Sequence, residues 1–188
     1  MHKSEPIIQQ LQSRRSIGAK FLEVPVPEIS QYLDAVKIAL CQPDHKKLHP
    51  CRVVLIEDTA KLGLLFKQGA LALGATIEEA NKAQSKATKA PATLAFIAKI
   101  DETNPEVPIH EQWMTCGAFA SSVLTSLELM GFGGKIVSGS STTYPEVNQA
   151  LCTSSERIIA WLMLGTPKVA ENKPTERPDP QNYFSIWS

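Results

Sequence analysis

The feature that most constrains this chain is a very apolar stretch near its middle. Between Met114 and Met130 the only charged residue is Glu128, and the remaining residues are mostly small or apolar. A segment that is apolar nearly all round is typical of a helix buried in a core. At about 1.5 Å per residue, about 20 residues span about 30 Å, the width of a small domain. We therefore predict a long, buried central helix over Glu111 to Met130, with the other elements packed around it.

The residues after this helix predict a sharp stop and a strand. Gly131-Phe132-Gly133-Gly134 supplies the glycines that a helix end favours, and Lys135 to Ser138 is short and β-branched. A membrane span is disfavoured, because six of the residues from Met114 to Met130 are Ser, Thr or Glu and no basic cluster flanks them. The helix also carries small residues that would let another backbone approach closely, namely Gly117, Ala118, Ala120, Ser121, Ser122 and Ser126.

The composition of the 188-residue chain excludes several classes of function. Its formal net charge is zero at pH 7, so it has no strong attraction for nucleic acid or an anionic membrane. Its four cysteines form no C-x-x-C pair, which is typical of free thiols in a reducing compartment. Met1 to Pro6 is polar and lacks the apolar core of a signal peptide. We predict a single cytoplasmic domain over residues 1–188.

The rest of the chain alternates helices with isolated strands, which predicts an α+β fold of three layers, α-β-α, with a mixed sheet. Capping boxes are predicted at Thr76–Glu79 and Thr143–Glu146. Prolines exclude an α-helix from the last twenty residues, whose aromatic end suggests packing against another surface. The predicted helices cover residues 5–13, 28–40, 59–73, 76–87 and a segment opening near Pro145. The predicted strands cover 52–57, 93–100, 135–138 and 157–164, and the tail residues are Pro174, Pro178, Pro180, Tyr183, Phe184 and Trp187.

Two clusters of polar residues are candidate sites. Arg14-Arg15-Ser16 could bind an anion, because guanidinium forks match phosphate oxygens and the end of the preceding helix would repel one. A pair of solvated surface arginines is the alternative.

A second candidate is a set of two thiols and two imidazoles, which Zn²⁺ accepts, from Cys41, His45, His49 and Cys51. Their C-x3-H-x3-H-x-C spacing is not that of the usual zinc knuckles. Solvated loop histidines are the alternative there.

Motifs for acid–base, nucleophilic or nucleotide chemistry are missing from the sequence. Gly131-Phe132-Gly133-Gly134 begins like a dinucleotide fingerprint, but Ile136 occupies the third glycine position and the run follows a helix rather than a strand. There is no Walker A, G-x-S-x-G or H-E-x-x-H motif. An enzyme without such groups usually takes its chemistry from a cofactor.

Taken together, these stretches resemble the nitroreductase family of flavin enzymes, and within it the small YdjA-like branch. The resemblance implies an α+β fold, an obligate homodimer and one FMN in each of two sites at the dimer interface. The matching segments are Arg14-Arg15-Ser16, Pro43-Asp44-His45-Lys46 with Pro50, Lys89-Ala90-Pro91, Gly131-Phe132-Gly133-Gly134, Ser138-Gly139 and Leu164-Gly165-Thr166-Pro167, in family order over nearly the whole chain.

The resemblance also implies the role of individual residues. Arg14 and Ser16 match positions that hold the FMN phosphate, and Arg15 matches a neighbouring flavin contact. His45 matches a contact supplied by the partner subunit. The flavin ring would lie against Lys135, Ile136, Val137 and Ser138. The chain departs from the branch at the cofactor-binding position Cys41, where Arg is common. It departs also at His49 and Cys51, where Gln and Trp are usual, and at Ile136 and Val137, where Trp and Arg are usual.

We therefore predict an FMN-dependent oxidoreductase that takes hydride from NADH or NADPH and reduces a small nitroaromatic, quinone or related acceptor. One site serving both substrates in turn predicts ping-pong kinetics, and no side chain need act as acid or base. A homodimer is predicted, without nucleic-acid or membrane partners and without a bound metal. Two alternatives stay open: a flavin-binding sensor or carrier with a degenerate active site, and a metal-binding module built on Cys41, His45, His49 and Cys51.

Overall fold

The computed structural model describes residues 5–168 and 176–187. Met1 to Ser4 and Pro174, which entered the predictions above, lie outside these ranges. The helices are α1 Glu5–Gln12, α2 Ile29–Ala39, α3 Thr59–Ala72, α4 Ile77–Ala87, α5 Ile109–Leu129 and α6 Pro145–Leu151. The strands are β1 Leu22–Glu23, β2 Cys51–Ile56, β3 Ala92–Ala98, β4 Gly133–Val137 and β5 Arg157–Pro167. The two-residue strand β1 was not predicted.

The long strand β5 is the centre of the sheet. Met163 pairs with Thr93 of β3 and with Lys135 of β4, so β3 and β4 lie on opposite sides of β5. β2 pairs with β3, and β1 pairs with the end of β5. β4 and β2 are therefore edge strands of the described sheet.

The prediction of a mixed sheet is wrong, because every pairing between the described strands is antiparallel. Two packed helices, α3 and α4, connect β2 to β3 and bring the chain back to where β2 ended. A single helix, α5, connects β3 to β4, so those two strands run in the same direction. They do not pair with each other because β5 lies between them.

The sheet separates two apolar cores, which confirms the three-layer α+β architecture. All residues of β3 are buried, as expected for a strand covered on both faces. Its residues Leu94 and Phe96 pack with the core formed by α2 and α5. Its residues Ala95 and Ile97 pack with the core formed by α3, α4 and α6.

The central helix α5 is confirmed in extent, but only one of its faces is buried within the chain. The buried face includes Cys116, Phe119, Val123 and Leu127, which pack under the sheet and beside α2. The opposite face is a stripe of Met114, Gly117 and Ser121, all exposed, with Met114 at 70%. We call these three residues the open face of α5.

One of the two predicted capping boxes forms. Thr76 accepts a hydrogen bond from the backbone N–H of Glu79, whose side chain accepts one from the N–H of Thr76. The second prediction is wrong, because Tyr144 is the residue that precedes α6 and Thr143 instead donates to the carbonyl of Ser140.

Both ends of the described chain expose large apolar side chains. None of the residues of α1 is buried, and Ile7 is 54% exposed. Tyr183, Phe184, Ile186 and Trp187 in the tail are between 76% and 99% exposed, although Arg177 donates a hydrogen bond to the carbonyl of Arg14. Within the described ranges, no helix combines the length and the apolar character that crossing a membrane requires.

Candidate functional site

The segment Arg14–Ser16 lies beside the start of β4. After α1 ends, the N–H of Ile17 donates to the carbonyl of Gly134 at 2.9 Å. A Cβ atom on Gly133 would lie 2.8 Å from Ile17 Cδ1 and from Pro167 Cγ, so glycine is needed for this close approach. Gly133, the first residue of β4, therefore lets the segment that follows α1 lie close to the sheet.

A cavity of about 390 Å³ opens where this segment, α5 and the end of β5 meet. Its basic lining residues are Arg14 and Arg15 from the segment after α1 and Lys168 from the end of β5. Its acidic lining residue is Glu128, whose Oε1 lies 3.8 Å from Arg14 Nη1. We call this space the basic cavity.

Glu128 is poorly solvated for a carboxylate. Its side chain is 14% exposed, and its Oε2 atom is buried without a hydrogen-bond partner among the described residues. Burial raises the pKa of Glu128 to about 7, although the positive charge of Arg14 acts in the opposite direction. This carboxyl group therefore changes between its protonated and ionised forms near neutral pH.

The predicted flavin-contacting residues lie on one edge of the sheet. Lys135, Ile136 and Val137 belong to β4, and Ser138 follows its last residue. Lys135 and Ser138 are exposed, whereas Ile136 and Val137 are half-buried. Because an edge strand carries a row of unpaired backbone N–H and C=O groups, β4 can hydrogen-bond a planar polar ligand laid against it. The structure places the segment Arg14–Ser16 beside the start of this strand, through the hydrogen bond from Ile17 to Gly134.

The loop after β4 forms the wall of a second cavity, of about 220 Å³. Its other lining residues include Phe66 and Ala87 from the helices of that layer. Several side-chain hydrogen bonds hold the loop. Among them, the Trp161 indole N–H donates to Ser141 Oγ, and Ser140 Oγ lies 3.1 Å from the Tyr144 hydroxyl.

Sequence reasoning assigned no site role to Glu128, Lys168 or the loop residues Ser140 and Ser141. The lone charge of Glu128 in an apolar helix was the available signal for the first of them.

His45 lies at the opposite end of α5 from Arg14. Its Nδ1 is 2.6 Å from Oε2 of Glu111, and Thr115 donates to the carbonyl of Pro43 in the same loop. Glu111 and Glu128 are 17 residues apart in α5, which at about 1.5 Å per residue separates them by about 25 Å. Within one chain, His45 and Arg14 are therefore too far apart to contact the same phosphate or the same ring.

The four proposed zinc ligands do not form a cluster. Cys41 is exposed at the end of α2, and its thiol lies 3.5 Å from the carbonyl of Lys37. His49 Nδ1 instead lies 3.2 Å from Asp44. In the part of the chain that the structure describes, no three His, Cys, Asp or Glu side chains are arranged to hold a metal ion.

Cys51 points into the core instead, where it faces Cys116. Cys116 is 1% exposed and Cys51 is 8% exposed. The hydrogen bond between the two thiols, together with burial, raises the pKa of Cys51. The thiol of Cys51 is therefore protonated at neutral pH, and Cys116 acts as a small residue of the core.

Comparison with known proteins gives a consistent result. Residues 11–166 match the sequence pattern described as the nitroreductase family. A relative from Escherichia coli strain K12, YdjA, is 31% identical over 183 residues, or 96% of this chain and 98% of the relative. Its name provisionally assigns it as an NAD(P)H nitroreductase.

Two solved structures have the same fold. A nitroreductase-like family protein from Bacillus cereus has a TM-score of 0.79 at 20% identity and covers 100% of this chain and 98% of that chain. A variant of NfnB from Sphigopyxis sp. strain HMH, described as an FMN- and NADPH-dependent nitroreductase, has a TM-score of 0.71 at 15% identity and covers 96% of this chain and 98% of that chain.

Proposed function

Because this chain belongs to the nitroreductase family of NAD(P)H-dependent oxidoreductases, we propose that it binds FMN between two identical subunits and reduces nitroaromatic or quinone acceptors. The observation that carries this proposal is the position of the basic cavity, whose lining reaches Gly131 and Phe132 directly before β4. The segment after Arg14–Ser16 is joined to that strand by the hydrogen bond from Ile17 to Gly134. A phosphate group requires concentrated positive charge, and a planar heterocycle requires an open edge of backbone donors and acceptors. The described chain offers both next to each other.

Arg14, Arg15 and Lys168 fit the phosphate end of FMN. All three line the basic cavity, and the phosphate carries close to two negative charges at neutral pH. The C-terminal end of α1 contributes a dipole of the wrong sign for an anion, so the attraction has to come from side chains. Ser16 is exposed in the same segment and would add a hydroxyl donor.

The edge of β4 fits the ring end. Val137 and Ile136 would contribute their backbone and half-buried side chains, and the exposed Lys135 would add positive charge. Ser138 begins a loop that is held by its hydrogen bonds to Tyr144 and Trp161. When bound, FMN supplies the two-electron chemistry that the side chains lack.

A dimer would complete the site. His45 and Arg14 lie at opposite ends of α5. The open face of the helix runs between them, and an added Cβ at Gly117 in its middle meets nothing within 4 Å. A two-fold axis crossing two antiparallel copies of α5 would bring the Arg14 end of one subunit to the His45 end of the other. We therefore propose that His45 contacts the flavin of the partner subunit.

The proposed roles of these side chains are binding and orientation. Nicotinamide and acceptor would occupy the same exposed side of the site in turn, which gives ping-pong kinetics. Because the positions of Ile136 and Val137 lack the larger side chains usual in the branch, a sensor or carrier that binds FMN but turns over slowly is the second candidate.

The first experiment is to purify the protein, measure its flavin absorbance and titrate it with FMN. Turnover of NADH and of NADPH is then followed with menadione and with a nitroaromatic acceptor, and the mass is measured by light scattering. Parallel lines in double-reciprocal plots support the ping-pong oxidoreductase. Tight FMN binding with negligible turnover favours the sensor or carrier, and a colourless protein that does not bind FMN contradicts both.

Substitution of Arg14 tests the phosphate assignment. Removing one partner of a desolvated charge pair typically costs about 2–5 kcal/mol, or about 30- to several-thousand-fold in Kd. Arg14→Ala is expected to raise the Kd for FMN by that factor. Arg14→Lys is expected to recover only part of the affinity, because an ammonium group lacks the planar fork of a guanidinium. Arg157→Ala, an exposed arginine remote from the basic cavity, is the matched control. An Arg14→Ala protein that binds FMN within about threefold of wild type, under ~1 kcal/mol, contradicts the assignment.

A further inference from the structure

We propose that Glu128 competes with the flavin phosphate for Arg14, so that this protein binds FMN most tightly when Glu128 carries a proton. The inference rests on the proposed function, because it assumes that the phosphate occupies the basic cavity. It makes Glu128 a residue that tunes cofactor affinity through Arg14, without any part in the redox chemistry.

The geometry gives Glu128 and a phosphate the same partner. Glu128 Oε1 lies 3.8 Å from Arg14 Nη1, and both side chains line the basic cavity. Among the described residues, the other charged groups that line it are Arg15 and Lys168, both positive. An ionised Glu128 therefore offsets the charge of Arg14 in the space that the phosphate would enter.

The position of Glu128 in α5 disfavours its ionised form. It is the second-last residue of the helix, where the helix dipole places partial negative charge. Its Oε2 is buried without a hydrogen-bond partner, so the carboxylate is incompletely solvated. A protonated carboxyl group escapes both penalties and acquires an O–H that can donate to a phosphate oxygen.

The pKa of Glu128, raised by burial to about 7, brings this change into the physiological range. Below pH 7 the group is neutral and Arg14 is available to the phosphate. Above pH 7 the carboxylate pairs with Arg14 and repels the phosphate dianion. A bound dianion raises the pKa of Glu128 further, so binding takes up a proton, and affinity falls by up to about tenfold for each pH unit above 7.

The test is a fluorescence titration of FMN and of riboflavin between pH 6.5 and pH 8.5, at constant ionic strength, on wild type and Glu128→Gln. The Kd of wild type for FMN is expected to rise by about 20-fold over this range. The Kd of Glu128→Gln is expected to change by less than about threefold. Riboflavin, which lacks the phosphate, is expected to show no difference in pH dependence between the two proteins.

A matched control is Glu146→Gln. Glu146 also has a buried Oε2 without a hydrogen-bond partner, but it lies on α6 and does not line the basic cavity. This variant is expected to keep the pH dependence of wild type. Parallel pH profiles for FMN in wild type and Glu128→Gln would overturn the inference while leaving the proposed function intact. Absence of FMN binding at every pH in every protein would overturn the proposed function itself.

A second measurement uses wild type alone and so does not depend on how any variant folds. Calorimetric titrations at pH 8 in two buffers of different ionisation enthalpy count the protons taken up with the ligand. Wild type is expected to take up close to one proton per FMN and none per riboflavin. Equal proton counts for the two flavins would overturn the inference.

Discussion

At the residue scale, a bidentate ion pair joins Arg52 to Glu156. Arg52 Nε lies 2.7 Å from Oε1 and Nη2 lies 2.8 Å from Oε2, and Nη2 also donates to the carbonyl of Leu151. The hydrogen bonds from Arg52 lower the pKa of Glu156 to about 2. This bidentate pair fastens the edge strand β2 to the turn between α6 and β5.

We expect Glu156→Gln to lower the free energy of unfolding by about 1–2 kcal/mol at pH 7. This is less than the pKa shift of Glu156 alone would give, because the Arg52 side chain is 44% exposed and solvent screens the pair. The pKa is depressed in the folded state, so the stabilisation is present above about pH 4.5 and is lost as the pH falls toward 2. Urea unfolding of wild type and variant at pH 7 and at pH 3 measures the difference.

The control is Glu102→Gln, which breaks the exposed pair with Arg157 and is expected to change stability by less than about 0.5 kcal/mol. Equal losses for the two variants would contradict the special role of the Arg52 pair.

Glu128 has the opposite effect on stability. Its pKa is raised in the folded state, so its contribution is fully present below about pH 4.5 and is lost as the pH rises through 7. In the protein without flavin, Glu128→Gln is therefore expected to be more stable than wild type at pH 8, by up to about 3 kcal/mol, and equally stable near pH 4. Thermal melts at both pH values check this, and a gain of the same size at pH 4 would contradict the assignment to ionisation.

At the element scale, the packing of α3 against α6 decides where the loop after β4 lies. A Cβ atom on Gly69 of α3 would come within 2.5 Å of the Cβ and Cγ atoms of Tyr144. Tyr144 in turn holds Ser140 of that loop. The glycine is thus required for helix packing, and through Tyr144 it also positions the end of the proposed ring site.

We expect Gly69→Ala to destabilise the protein by about 2 kcal/mol or more, because a backbone shift is needed to make room. The paired variant is Gly117→Ala on the open face of α5, where the new Cβ meets nothing within 4 Å. In a helix interior that change alone favours folding by about 0.5–1 kcal/mol. In the proposed dimer a second copy of α5 covers this face, so Gly117→Ala is expected to lose that gain. Urea unfolding of both variants compares the two sites, and stabilisation by Gly117→Ala would contradict the proposed packing of α5 on α5.

The elements themselves could largely be predicted from local sequence. Helical spacing gave α3 and α5 to within about two residues at each end, and the Thr76 capping box fixed the start of α4. The antiparallel sheet could not be predicted, because it depends on β5 lying between β3 and β4.

The pairing of Arg14 with Glu128 could not be predicted either, since residues this far apart in sequence meet only through the fold. Recognition of the site residues came from family resemblance, because local spacing alone favoured a pair of solvated surface arginines.

At the scale of the whole molecule, the separation of Arg14 and His45 predicts that each proposed site is shared between subunits. Arg14→Ala and His45→Ala are each expected to reduce FMN binding. When the two proteins are unfolded and refolded together, half of the dimers are hybrids with one intact site, so about a quarter of all sites recover. FMN titration of the mixture measures the recovery.

The control mixture combines Arg14→Ala with a variant carrying both substitutions. No intact site can form in it, because every subunit lacks Arg14, and no recovery is expected. Absence of recovery in the first mixture as well would mean that both residues serve a site within one chain, or that His45 serves none.

The exposed tail gives the molecule an internal optical reporter. Trp161 is 4% exposed and donates its indole N–H to Ser141, whereas Trp187 is 99% exposed. An indole in water emits at longer wavelength and is quenched by acrylamide, whereas an indole covered by protein emits at shorter wavelength and is shielded. If a second copy of the chain covers the tail, dilution into the monomeric range shifts the emission to the red and increases quenching, and Trp187→Phe abolishes both changes. The intrinsic fluorescence of the protein would then report its own assembly without any added label.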